Sequence, residues 1–340
     1  MISALQIQNA LENNVEAITE ILVKLGVPEE TIKYNESKHL ITSVRPDKNA
    51  DNRAGCLVYT DSLYYMYTTR TGKGSLFSLI MDVKGCNFPR SLEYVTQWTG
   101  VEGKRIEIKY PFGGFYRKFL RSDKILGDIL LDEYSEDDLP EETALSQQFF
   151  EDGISFKCQE EWGIRYDLDG NNILIPIRDS LGRLVGCKAR RGDPSVPHDK
   201  RWFAYLPYSK TSVVYGYDRN YKSIQDKSLA VIFEAEKSVL QTASFDFPYS
   251  LAIGGHNISD VQERYIKSLM TDRIIIAFDA DLPQEELDYW AHKLKSNKVL
   301  KNKVGYIYDK NHDLLGEKDS PSDHGYKVFK ELMKNYVIWV

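Results

Sequence analysis

The sequence predicts an α/β fold, α+β over the whole chain, with an open α/β sheet in its last third. Three observations carry this. Short runs rich in Ile and Val recur at 229–233, 273–278 and 303–308, and such runs, lacking polar alternation, read as strands buried on both faces. Acids follow each run: Glu234 after the first, Asp279 and Asp281 after the second, Asp319 and Asp323 after the third. Residues 171–191, by contrast, alternate like an antiparallel hairpin turning through Asp179–Gly182. Open α/β sheets place their sites just past the carboxyl ends of the strands. Carboxylates converging there repel one another unless a cation binds between them, and hard Mg²⁺ prefers such oxygens.

A chain of 340 residues has room for two or three domains. Its net charge of −6 excludes a globally basic nucleic-acid binder, so any such affinity must come from local patches. Cys56, Cys86, Cys158 and Cys187 form no C-x-x-C pair and read as reduced thiols of a cytoplasmic protein. No apolar run approaches the ~20 residues that span a bilayer, and no signal peptide is visible, so no membrane partner is expected.

Taken in order, residues 2–25 show helical spacing through Leu5, Leu11, Val15, Ile18, Ile21, Leu22 and Leu25, stopped by Gly26 and Pro28. Residues 39–69 read as short β segments with a turn at 47–55 and a strand at 63–68. Thr71–Ser75 lacks the spacing of a phosphate loop and reads as a turn before a helix over 75–83. A further helix spans 88–98 and is closed by Gly100. Residues 101–142 read as a connector, with a basic cluster (Arg117, Lys118, Arg121, Lys124) and then an acidic run; charge runs of this kind are usually solvated. From Arg178 to Lys210 eight Lys or Arg residues stand against three acids, interleaved with Trp202, Phe203, Tyr205 and Tyr208. Cations that neutralise phosphates and rings that stack on bases are the parts of a single-strand groove. A last helix is expected over 326–336, with an apolar tail from Val337 to Val340.

Three features in this order resemble the DnaG-type primases. E-A-E-K-S at 234–238, G-G-H at 254–256, D-A-D at 279–281 and K-D-S-P-S-D at 318–323 look like a TOPRIM domain. The run I-P-I-R-D-S-L-G-R-L-V-G at 175–186, with Y-L-P-Y-S-K at 205–210 and Tyr215-Gly216, resembles the basic subdomain that precedes TOPRIM in bacterial and phage primases. Residues 65–100 are similar to the part of the primase zinc-ribbon domain that follows its last ligands. There are departures. Val44–Asp47 and Met66–Arg70 stand where the ribbon's Cys and His pairs are expected, Ala235 replaces the usual Gly, and Ser238 replaces the usual Asp.

The resemblance implies a compact, phage-type primase working in the cytoplasm of a bacterial host, laid out in four parts. These are an N-terminal helix with a zinc-less ribbon (1–105), a linker (106–142), a basic subdomain (143–226) and a TOPRIM domain (227–340). It implies that Glu234, Asp279 and Asp281 are catalytic, and that these three with Asp319 and Asp323 hold two or more Mg²⁺ or Mn²⁺ ions, with no zinc. Arg178, Arg183, Lys188, Arg190, Arg191, Lys210 and Lys237 would meet template phosphates or the incoming triphosphate. Single-stranded DNA, ribonucleoside triphosphates and a replicative helicase supplied in trans are the expected partners. Two alternatives remain: a TOPRIM nuclease that uses the same acids with water as nucleophile, and a non-catalytic nucleic-acid-binding accessory of the replisome, suggested by the degenerate ribbon and opposed by the intact Glu234, Asp279 and Asp281.

Overall fold

The computed structural model describes residues 4–46, 55–68, 72–101, 131–141, 145–193, 195–197, 200–295 and 302–340. The chain divides into two compact units, one of residues 1–86 and 90–130, the other of residues 87–89 and 131–340. The basic cluster at Arg117–Lys124 and the turn over 47–54 lie outside the described residues.

In the first unit the helix expected over 2–25 is two helices, α1 (Ala4–Leu11) and α2 (Val15–Lys24). The break is chemical. Asn13 takes a left-handed backbone (φ 59°), which Asn tolerates better than most residues, and the Asn14 side chain accepts the Ala17 N–H at 3.1 Å as the cap of α2. Periodicity alone runs straight through such a break, because the apolar stripe continues on both sides. Strands β1 (Lys33–Asn35), β2 (Leu40–Ser43), β3 (Cys56–Tyr59), β4 (Tyr64–Tyr67) and β5 (Lys73–Ser75) follow, paired antiparallel in sequence order. Ser75 ends β5 and caps α3 (Leu76–Lys84), its hydroxyl accepting the Ser78 N–H at 3.2 Å. Helix α4 runs Phe88–Thr99, and Gly100 follows it with φ 59°. Ile18, Ile21, Leu22, Ile41, Val58, Leu79 and Ile80 are fully buried and form the core of this unit.

The second unit opens with two short helices, α5 (Gln147–Glu151) and α6 (Phe156–Glu161). An antiparallel sheet comes next: β6 (Arg165–Asp167), β7 (Asn172–Arg178), β8 (Leu184–Arg191) and β9 (Trp202–Leu206), in that spatial order. Both of its faces are covered. Ile173, Ile175, Ile177 and Val185 join the main core, while Leu174, Cys187 and Ala189 pack on the other side with Leu139, Phe203 and Tyr205. Residues 131–141, within the stretch read as connector, lie on this sheet, where Tyr134 donates to the Pro207 carbonyl at 2.9 Å and Glu136 holds Arg165 at 2.8 Å and Arg178 at 2.7 Å.

Helix α7 (Tyr217–Lys227) leads into the second sheet, built from β10 (Leu229–Phe233), β11 (Ser250–Ala252), β12 (Arg273–Ile276), β13 (Lys303–Ile307) and β14 (Val337–Trp339). The interposed helices are α8 (Glu236–Ser244), α9 (Asp260–Ser268), α10 (Gln284–Leu294) and α11 (Gly325–Asn335). The spatial order is β11-β10-β12-β13-β14, parallel except for β14. All five residues of β10 are buried, as an all-apolar run demands. The tail read as an apolar extension of the last helix is instead an edge strand. Three residues rich in β-branched and aromatic side chains pair antiparallel with β13, Gly305 opposite Trp339 and Ile307 opposite Val337. Glycine is required at that register, since a Cβ on Gly305 would stand 2.7 Å from the Ile338 carbonyl oxygen. No helix among the described residues is long and apolar enough to cross a membrane.

Candidate active site

The second sheet starts with β10, adds β11 on one side and then crosses to place β12 on the other. That reversal opens a crevice past the carboxyl ends of β10 and β12, where doubly wound sheets bind their ligands. Glu234 follows β10 and Asp279 lies just beyond β12, so the two acids flank this switch point although 45 residues separate them. The Asp279 N–H donates to Glu234 Oε1 at 3.1 Å.

The acids feel one another. Burial, then the Asp279 charge, then that of Asp281 push the Glu234 carboxyl up to about 7, against the help of the Asp279 N–H. Burial, then the charges of Asp323, Asp281 and Asp319 push Asp279 up to about 6, with Lys237 opposing them. Asp281 itself is exposed. Asp319 behaves in the opposite way. The His324 side chain at 2.7 Å and the Gly316 N–H at 2.7 Å hold it below the usual carboxylate range. Asp323 is the most heavily engaged of the five. One oxygen meets Lys237 at 2.7 Å and Gln241 Nε2 at 3.1 Å, and the other accepts the Ser320 N–H at 2.9 Å.

Among the described residues, no three His, Cys, Asp or Glu side chains stand close enough to share one metal ion. The donor set still suits a hard divalent cation. It offers carboxylate oxygens only, and two of those carboxyls have proton affinity raised first by burial and then by nearby negative charge. The present counter-charges are protein cations, Lys237 on Asp323 and, when protonated, His324 on Asp319.

The expected phosphate ligands separate into two groups. Arg178 meets Glu136, Arg183 meets the buried Asp179, Lys188 meets Glu236 at 2.6 Å, and Arg190 meets Asp152. Lys237 is taken by Asp323. Arg191 and Lys210 are exposed and hold no carboxylate among the described residues; the Arg191 guanidinium lies 4.7 Å from the centre of the Phe203 ring. The division follows the pleat. Lys188 and Arg190 alternate with Cys187 and Ala189 along β8, so they point inward toward α5 and α8, while Arg191 points outward with Phe203.

Sequence reasoning missed Glu236, which is 3% exposed and ionised by its pairing. Burial alone would raise its carboxyl, but the Lys188 charge and hydrogen bond hold it below the ordinary range. It also missed Gln262, whose buried amide donates to the carbonyls of Lys210, Val213 and Ile253 at 2.8–2.9 Å and so ties the segment before α7 to the turn after β11. The second Glu of E-A-E and the S-x-x-Q box at Ser259–Gln262 were the available signals.

No family model matches the chain. It is 28% identical over 216 residues to the SPbeta prophage-derived uncharacterized protein YorJ of Bacillus subtilis, a match covering 56% of this chain and 57% of that one. It is 28% identical over 153 residues to the DNA primase of Chlamydia muridarum, covering 43% of this chain and 25% of the primase. For the DNA primase of Deinococcus radiodurans the figures are 27% over 135 residues, 40% and 24%. The chain thus spans a little over half of the first relative and about a quarter of these primases. Among solved structures, the zinc-binding and RNA polymerase domains of the Aquifex aeolicus primase superpose with a TM-score of 0.47 and 13% identity, covering 100% of this chain and 87% of that one. Over about two fifths of its length, the chain is homologous to bacterial DNA primases.

Proposed function

We propose that this chain is a DNA primase of phage type, laying down short RNA primers on single-stranded DNA. The observation that carries the reading is the placement of Glu234 and Asp279 on either side of the switch point, with proton affinities raised first by burial and then by neighbouring carboxylates, Asp279 acting on Glu234 and Asp323 and Asp281 acting on Asp279. The homology to bacterial primases and the likeness to a prophage protein support the same conclusion. The resemblance of the C-terminal sheet and its acids to TOPRIM, and of the first unit to a zinc ribbon without its metal, belongs to this reading.

In it, Glu234, Asp279, Asp281, Asp319 and Asp323 would hold two or more Mg²⁺ or Mn²⁺ ions. When bound, the ions supply charge that favours the attacking 3′-oxygen and the departing pyrophosphate. The chain's own part is positional and protonic. Glu234 would act either as a further metal ligand or, where it stays off the ions with its carboxyl raised to about 7, as the base that takes a proton from the attacking hydroxyl. Lys237 and, when protonated, His324 hold Asp323 and Asp319 in place in the metal-free chain, and bound divalent ions would take over that counter-charge. Arg191 and Lys210 offer exposed charge to the template or the triphosphate, with Phe203 beside Arg191 as a stacking surface. A replicative helicase acting in trans would tether a chain whose net charge of −6 opposes its template.

The test is purified chain with single-stranded DNA, labelled ribonucleotides and Mg²⁺ or Mn²⁺. Short RNA products that vanish with Glu234→Gln and with Asp279→Asn are expected. Shortened template without RNA would assign a nuclease, and strand binding without either product an accessory protein.

A further inference from the structure

We propose that the buried Lys188–Glu236 ion pair pins the turn that carries Glu234, so that Lys188 is a positioning residue and not a phosphate ligand. The proposal rests on the reading of Glu234 as the reacting carboxylate, and its observations are these. The pair closes at 2.6 Å with the lysine side chain 15% exposed and the glutamate 3% exposed. Lys188 comes from β8 of the antiparallel sheet and Glu236 is the first residue of α8, two positions beyond Glu234, so the pair joins the antiparallel sheet directly to the strand end of the candidate site. The Trp202 ring lies 4.9 Å from the Lys188 ammonium and helps shield it.

The other carboxylate oxygen of Glu236 faces the Tyr208 hydroxyl at 3.4 Å. Tyr208 reaches it by lying across β8 at Gly186, where a Cβ would stand 2.5 Å from the tyrosine. On the far side Glu236 faces the backbone of Gly254, at which a Cβ would meet Glu236 Oε1 at 3.7 Å. The Gly254 N–H in turn donates to the Glu234 carbonyl at 2.8 Å. The backbone of Glu234 is therefore held along the chain by the start of α8, which Glu236 anchors, and from the β11 side by Gly254, which lies beside Glu236 Oε1. A phosphate could engage Lys188 only by drawing it off this carboxylate, leaving a buried charge with its own backbone N–H, the Tyr208 hydroxyl at 3.4 Å and the more distant Lys210 charge in place of an ion pair. Breaking a buried pair from one side is far more costly than replacing both partners by apolar groups.

The test uses the full chain and four variants: Lys188→Met, Glu236→Gln, the double Lys188→Met/Glu236→Met, and Arg191→Ala as an outward-facing reference. Single-strand binding is measured against salt, amide exchange is followed at Gly254, and kcat and KM for ribonucleotides are measured in primer synthesis. Arg191→Ala is expected to flatten the salt slope by ~0.7, one phosphate contact on a single strand, while Lys188→Met leaves it unchanged. Each inner single variant should speed Gly254 exchange by roughly tenfold or more and lower kcat with KM held, and the double should recover most of both losses. A salt slope flattened by Lys188→Met as much as by Arg191→Ala overturns the proposal. So does unaltered Gly254 exchange in the single variants, or a double whose losses simply add. Binding and exchange do not depend on catalysis, so a chain that makes no primer would sink the primase reading while leaving the pin to be decided by those two measurements.

Discussion

Glu234 and Asp279 carry charge that their surroundings resist, and the resistance has a sign. A carboxyl whose proton affinity is higher in the folded chain than in the unfolded one binds more protons when folded. Its contribution to stability therefore falls as pH rises from the ordinary carboxylate range to the folded value, here about 7 for Glu234 and about 6 for Asp279. Metal-free chain should melt at a higher temperature at pH 6 than at pH 7.5, and Asp279→Asn should shrink the difference; equal melting of the parent at both pH values would contradict the repulsion. Glu236 and Asp319 work the other way. Their affinities are lowered, so their stabilisation is complete at neutral pH and disappears as pH falls through and below the usual carboxylate range. Adding Mg²⁺ at pH 7.5 should raise the melting temperature well beyond what equal ionic strength of NaCl does, because it binds the folded chain and relieves the same repulsion. Glu234→Gln, Asp279→Asn and Asp281→Asn, which remove charge without volume, should each cut primer synthesis by about 10² or more while circular dichroism stays unchanged. The positions of Glu234 and Asp279 past the ends of β10 and β12 were legible in the sequence because each follows an apolar run. The hydrogen-bond partners of Asp319 and Asp323 were not, since Lys237, Gln241 and His324 come to them through the packing of α8 and the loop before α11.

At the scale of the element, β8 shows why a basic stretch is not a basic surface. Its cations alternate with the pleat, and the inward ones are consumed by acids that lie far away in the chain: Asp152 for Arg190 and Glu236 for Lys188. Charge counting along a sequence sees eight cations and three acids; it cannot see acids brought in from other segments. Arg190→Ala is accordingly expected to destabilise the second unit by about 1–3 kcal/mol in urea unfolding, since it strands a partly buried Asp152. The hairpin itself was legible from alternation and the D-S-L-G turn, and the parallel strands from their Ile and Val runs. β11 and β14 were not, being three residues long and carrying no period of their own. For β14 the specifying feature is Gly305 opposite it. Gly305→Ala should cost about 1–3 kcal/mol by forcing the edge strand off its partner, read as a lower urea midpoint and as loss of amide protection at Val340, whose N–H donates to the Val304 carbonyl.

For the molecule as a whole, the net charge of −6 and the short list of outward cations set the expected behaviour on DNA. Non-specific affinity should be weak, ~10⁻⁴ to 10⁻⁶ M at physiological salt, and priming at low concentration should rise when the cognate replicative helicase is added; equal rates with and without it would remove the tethering idea. The exposed edge strand β14 is one surface such a partner could use, and removing residues 336–340 to test it would also strip β14 from the sheet. Substitution of the exposed Trp339 by Lys keeps the strand while altering its surface. The switch point has one more consequence, for the order of events in folding. Glu234 and Asp279 meet only when β12 docks on β10, after the chain has already gone out through α8 to β11 and returned. Contacts that bridge long loops tend to close late, so the electrostatic cost of the site falls mostly after the main barrier. Removing that cost should slow escape from the native state and leave its formation almost untouched. In stopped-flow experiments without divalent ions, Asp279→Asn is thus expected to lower the unfolding rate while the refolding limb overlays the parent's, making this chain kinetically most durable when it is least able to react.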